Sequence, residues 1–100
     1  STWNEAKSWC SSYGGGDWRL PTIEELLIIY PNVSMFNDII RLIGTTTISL
    51  KKYWSSTTRT ASGNNGKYTD AYTCDFSDGG RSVTPADWTG SYYVRAVRYL

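Results

Sequence analysis

The apolar residues of this chain change their period once, at Gly44. Ahead of it they recur at helical spacing; behind it they stand among β-branched and aromatic neighbours. A chain divided in this way puts helices first and strands second. The packing solution for that order is an α+β fold with an antiparallel sheet.

Two Thr-x-x-Glu boxes mark where helices begin, because hydroxyl and carboxylate satisfy each other's exposed backbone donors. Thr2 with Glu5 opens a helix over Trp3 to Ser12, with Ala6, Trp9, Cys10 and Tyr13 as its buried stripe and Gly14 as a left-handed stop. Thr22 with Glu25, preceded by Pro21, opens a second helix in IEELLIIY, with Leu26, Leu27 and Tyr30 facing inward. SMFNDIIRLIG is a third helical segment, placing Phe36, Ile39, Ile40 and Ile43 on one side and ending at Gly44. In the junction between the first two helices, GGGDWRLPT, the glycines turn the chain and Trp18 and Leu20 plug the gap. Arg19 is expected to hold loop carbonyls rather than a ligand.

TTTISLKKYWSSTT reads as strand or extended chain. RTASGNNGKYT, Arg59 to Thr69, is polar and reads as a long exposed loop. Tyr72, Cys74 and Phe76 then alternate with polar or small residues, and Asp78-Gly79 predicts the turn of a two-stranded ribbon. A second loop follows in TPADWTGS. YYVRAVRYL is expected to form the last strand, with Tyr92, Val94 and Ala96 on one face and Tyr93, Arg95 and Val97 on the other.

One hundred residues suit a single domain, since single cores occupy chains of about 50 to 200 residues. Ten Lys plus Arg against nine Asp plus Glu leave a charge of +1, which lacks the footprint of a nucleic-acid binder. No apolar run approaches the length of about 20 residues that spans a bilayer. Histidine is absent, and with it the commonest general base near neutral pH. Two carboxylate pairs, Asp75 with Asp78 and Glu24 with Glu25, are the nearest approach to a glycosidase constellation. Both have simpler roles, in a turn and at a helix N-terminus. Cys10 and Cys74 have no metal-binding spacing. They are either two buried thiols or a disulfide, which would stabilise by about 4 kcal/mol in the chain-entropy model and imply an oxidising compartment.

TWNEAKSWC, DWRLPTIEEL, YWSSTT, AYTCDFSDGG and YYVRAVR occur in the order typical of the Lcl C-terminal domain family, and from Trp3 to Arg98 the chain resembles it. The resemblance implies a C-type-lectin-like fold, two to three helices on a twisted antiparallel sheet with long loops. It is similar in architecture to the terminal domains of intimin- and invasin-type bacterial outer-membrane adhesins and to the formylglycine-generating-enzyme fold. It implies a binding module at the C-terminal tip of a longer bacterial surface protein, extracellular and tethered to the outer membrane by regions outside this segment. The expected partner is a host surface or secreted protein. No cofactor, nucleic acid or membrane contact by the domain itself is expected, and preceding domains of the same adhesin are its other neighbours.

Three departures from the family pattern matter. Ala96 stands where the family often has cysteine, so a bridge from Cys10 on the first helix to Cys74 would be the family's staple moved by one strand. The family fold usually has a strand ahead of the first helix. The calcium-holding Glu-Pro-Asn and Trp-Asn-Asp motifs of sugar-binding C-type lectins are absent, so binding is expected to be calcium-independent.

Binding is expected at the two polar loops, through Arg59, Asn64, Asn65, Lys67, Tyr68, Arg81 and Trp88, since Trp, Tyr and Arg are enriched in interface hot spots. The alternative for Trp88 is a lid folded over the sheet. Lys51 and Lys52 with Arg59, Lys67 and Arg81 would form a basic patch suited to a glycan or glycosaminoglycan, the alternative ligand. An enzyme of the formylglycine-generating type is the alternative of another class, and it would need a reactive cysteine.

Overall fold

The structure, a computed structural model, describes residues 1–43, 46–63 and 66–98, the side chains of Arg41 and Ile43 excepted. Three α-helices, α1 (Trp3–Ser12), α2 (Ile23–Ile29) and α3 (Val33–Ile43), precede three strands, β1 (Lys52–Gly63), β2 (Gly66–Asp75) and β3 (Gly80–Pro85). The strands form an antiparallel sheet in the order β1-β2-β3, the α+β arrangement expected from the residue order.

Both capping boxes form. Thr2 accepts from the Glu5 amide while the Glu5 carboxylate accepts from Thr2, and Thr22 and Glu25 do the same for α2. α1 buries Trp3, Ala6 and Cys10 rather than the whole expected stripe, and Trp9 and Tyr13 are about half exposed. The helix lies on the sheet through one narrow edge, so the residues beside that edge stay in solvent. In α2, Ile23 and Leu26 are buried, and Leu27 and Tyr30 are half-buried. A 3₁₀ turn, Tyr30–Asn32, joins α2 to α3. α3 packs through Phe36 and Ile40, whereas Ile39 points to solvent. Its expected end at Gly44 lies outside the described residues.

Period-2 alternation sorts the core into two clusters on opposite faces of the sheet. Trp54 and Ala71 point toward α1 and join Trp3, Ala6, Cys10 and Leu20. Tyr53, Cys74 and Phe76 point the other way, to Ile23, Leu26 and Ile48. Tyr53 pairs with Cys74 and Trp54 with Thr73, so consecutive β1 residues feed different clusters.

This corrects the expected disulfide: Cys10 and Cys74 are free, buried thiols. Alternation is the physical reason. Cys74 shares its pleat with Tyr72 and Phe76, which face α2 and α3, and the sheet stands between it and the α1 thiol.

Between Trp54 and Thr58 the β1–β2 register shifts, and serine and threonine hydroxyls replace the interrupted ladder. Ser55 Oγ donates to the Tyr72 carbonyl at 2.7 Å, and the Ile23 amide donates to Thr57 Oγ1 at 2.9 Å. The Ser56 amide donates to the Pro21 carbonyl at 2.8 Å. YWSSTT is therefore a bulge that fastens the start of α2 to the sheet.

The stretch Arg59 to Thr69, expected as a loop, is instead mostly strand. β1 and β2 pair from Arg59↔Asp70 to Gly63↔Gly66, whereas β3 pairs only with Asp70 to Asp75. The β1–β2 hairpin thus projects past β3 as a two-stranded arm. Because neither face of the arm is buried, its sequence carries no apolar alternation.

The last segment is also corrected. It forms isolated bridges rather than a strand: Tyr93 with Tyr53, in parallel, and Val97 with Arg19. It spans from the β1 edge to the Arg19 junction and meets each at one residue, too few to make a ladder. Its side-chain alternation survives, with Tyr92, Val94 and Ala96 packed on the α1-side cluster.

Candidate functional site

Where the arm leaves the sheet, its root is fixed by Asp70, 5% exposed, whose Oδ2 accepts from Arg59 Nε at 3.1 Å. The next three residues of β2 toward the tip, Lys67, Tyr68 and Thr69, face the chain leaving β3. The Ala86 amide donates to the Thr69 carbonyl at 3.0 Å, holding the two segments together. Between them lies an open cleft of about 360 Å³ lined by Lys67, Tyr68, Thr69, Pro85, Ala86 and Asp87. Tyr68 keeps nearly half its surface in solvent, and its ring lies over Gly63, where a Cβ would come within 3.2 Å of Cε1. The two segments singled out from the sequence, Arg59–Thr69 and Thr84–Ser91, meet here.

The other expected binding residues are dispersed. Arg59 is engaged with Asp70. Arg81 pairs in register with Cys74, four residues along β2 from Asp70, and its guanidinium lies 5.7 Å from the Tyr72 ring centroid. Asn64 and Asn65 lie outside the described residues. Trp88 has turned inward: its ring is 4.8 Å from Tyr92 and 6.4 Å from Trp54, and 39% of its surface remains exposed. A side chain on Gly90 would overlap the Trp88 indole, so glycine allows this closure. Trp88 is a lid over the Trp54 cluster more than a contact residue.

The basic patch does not assemble. Lys52 lies over the Tyr92 ring at 5.2 Å, on the Trp54 face of the sheet. Arg81 lies over Tyr72 on the opposite face. The same pleating that separates the cysteines separates these cations.

One member of each carboxylate pair is held in its ionised form. The Arg19 guanidinium, with the Thr22 amide and hydroxyl, holds Glu25 down to about 2. The Ser77 hydroxyl and amide lower Asp75. Burial pushes the Cys10 thiol up to about 11 and raises Cys74, opposite to the activation a nucleophilic thiol needs. Among the described residues, no group of three or more His, Cys, Asp or Glu is placed to hold a metal ion, and no helix is long and apolar enough to cross a membrane.

A second surface escaped the sequence reading. Trp9, Tyr13 and Tyr93 are each close to half exposed, and Trp18 is half-buried beside them. Trp9 and Tyr13 sit one turn apart, a spacing that reads as core stripe. The available signal was the surplus of aromatic residues at the end of α1, more than its narrow contact edge can bury.

The family model that matches the chain is that of the Lcl C-terminal domain, over residues 1–98. No curated protein shows a significant match, and neither does any solved structure.

Proposed function

The chain belongs to the Lcl C-terminal domain family, whose members are surface-associated domains, and from that premise we propose a calcium-independent binding module of a bacterial surface adhesin that engages a host protein. The contact is made by the cleft between the β1–β2 arm and the chain after β3. One observation carries this reading: the two segments marked by their residue types as a recognition surface converge on one cleft, with Tyr68 and Lys67 presented at its rim. Tyrosine supplies a large amphipathic contact area, which suits a hot spot. Asp87 beside Lys67 adds a charge of each sign, which suits a protein surface better than a polyanion.

Binding rather than catalysis is the reading the chemistry favours. The chain has no histidine, Glu25 and Asp75 are held ionised, and the two thiols are held protonated. The glycan alternative through a basic patch is disfavoured by the cations standing on opposite faces.

The test is capture of host-surface proteins by the chain and by a Lys67→Ala, Tyr68→Ala variant. Truncating a hot spot costs about 2 kcal/mol, so captured partners should bind the variant about 30-fold more weakly. Retention of the same partners at the same affinity removes the cleft from the account. Loss of binding between about 50 and 500 mM salt would instead mark a polyanion partner.

A further inference from the structure

At the end of α1 the rings of Trp9 and Tyr13 lie 5.1 Å apart, tilted by 31°. Tyr13 meets Trp18 edge-on at 5.3 Å, and the Arg98 guanidinium covers Trp18 at 5.3 Å from its centroid. These four side chains form a continuous ridge. Its position is set by the backbone: Gly14 has φ 53°, and a Cβ there would stand 2.8 Å from Trp18 Nε1. The glycine run therefore does more than stop a helix, since only glycine lets Trp18 close the ridge.

Across from the ridge runs the extended segment Val94 to Ala96, and between them is a cleft of about 350 Å³. Thr46 completes its wall, its carbonyl accepting from Arg95 Nη1 at 2.8 Å. Trp9 and Val94 also line an adjoining cleft of about 470 Å³, which Ser91 and Tyr93 share. Both volumes fall in the range of about 300 to 1,000 Å³ typical of small-ligand sites. Trp9 stands between the two, and among the described residues no carboxylate lines either.

We infer that this ridge is a stacking site for uncharged pyranose rings, with Trp9 as the platform shared by two neighbouring sugars of an oligosaccharide. The axial C–H groups of a pyranose form a flat, weakly positive face, and an aromatic ring presents a negative one. The hydroxyls around the sugar need polar groups at the rim, which Thr46, Ser91 and Arg95 provide. A proline-rich peptide is the other ligand that takes exposed aromatic rings, but it inserts prolines into slots between separated rings. Here successive rings touch, which leaves no slot and leaves the half-exposed Trp9 ring as the surface on which a sugar can lie. Sharing of Trp9 between two clefts makes binding grow with chain length, from monosaccharide to hexasaccharide.

None of these residues lines the Lys67–Tyr68 cleft, so the inference stands apart from the proposed host-protein contact. The experiment is calorimetric and tryptophan-fluorescence titration of the chain with the hexasaccharides of β-1,4-linked glucose, mannose and N-acetylglucosamine, and with a decaproline peptide. At least one hexasaccharide should bind, about tenfold more tightly than its monosaccharide, and its affinity should not change between about 50 and 500 mM salt. Trp9→Ala should weaken it by about tenfold or more, while Trp9→Tyr keeps a platform and stays within about threefold. Tyr68→Ala should leave it unchanged. Tyr13→Ala, which removes the ring supporting Trp9, serves as the second variant should Trp9→Ala fail to fold. Absence of binding by all three sugars at about 10 mM, where even a weak millimolar site would register, overturns the inference. Affinity that survives both alanine variants, steep salt dependence, or preference for decaproline also overturns it.

Discussion

Arg19 grips Glu25 with both ends of its guanidinium, Nη1 to Oε1 at 2.7 Å and Nη2 to Oε2 at 2.9 Å, while the same carboxylate caps α2 by accepting from the Thr22 amide at 2.8 Å. The two residues together end a turn, start a helix and, through the backbone pairing of Arg19 with Val97, tie both to the last segment.

Because Arg19 and the cap favour the ionised form, Glu25 titrates near 2 in the folded chain, below its ordinary 4.5. A depressed carboxylate contributes stability above its unfolded pKa and loses it as pH falls through the folded one. Glu25→Gln should therefore destabilise at pH 7, by about 1–2 kcal/mol once solvent screening of this partly exposed pair is allowed for. The difference from the parent should shrink as pH drops from about 4.5 toward 2. Urea unfolding of both proteins across that interval measures it.

Cys10 and Cys74 should each react with a thiol reagent after unfolding and resist it in the native state, because burial keeps both protonated. A reductant should leave the melting temperature unchanged. Finding no titratable thiol in the unfolded chain would restore the bridge and require a rearranged sheet.

Trp54 and Trp88 touch, yet their removal should differ in cost. Trp54 is fully buried and donates from Nε1 to the Ser1 carbonyl at 2.8 Å, whereas Trp88 covers it from outside. Trp54→Ala should cost about 3–5 kcal/mol and Trp88→Ala less than half of that, by chemical unfolding.

Gly79 and Gly15 both have positive φ, 78° and 99°, but only Gly79 is crowded, since a Cβ there would lie 2.6 Å from Tyr30 Cε2. Gly15→Ala should cost about 1 kcal/mol for left-handed strain alone. Gly79→Ala should cost more, the excess reporting displacement of Tyr30 from its edge-on contact with Phe76. Equal losses would mean that Tyr30 moves aside freely.

The helical half of the fold was legible because its signals are local: each Thr-x-x-Glu box closes within one turn, so the residues that announce the helix are those that build it. The Asp78-Gly79 turn was legible for the same reason. Depth was not. Trp9 and Tyr13 fit a helical stripe as well as Ala6 and Cys10 do, and only the width of the α1 contact decides which are covered. The arm was hidden because two strands pairing in solvent need no apolar face, although the sequence carries an Asn-Gly hairpin signal within it. The Cys10–Cys74 bridge failed against a rule the sequence already obeyed, since Tyr72, Cys74 and Phe76 alternate together toward α2. The candidate cleft was half legible. The structure brings its two segments together, but Arg81 and Trp88 were assigned to it without the register that sends one along the ribbon and the other inward.

The Arg59–Asp70 pair marks where support from the third strand ends, and that boundary has an evolutionary consequence. Beyond it, side chains answer to no interior neighbour, so mutation there is filtered by what the tip touches and hardly by foldability. A lineage could exchange the whole projection, and with it the partner proposed above, while the body beneath remained the same protein.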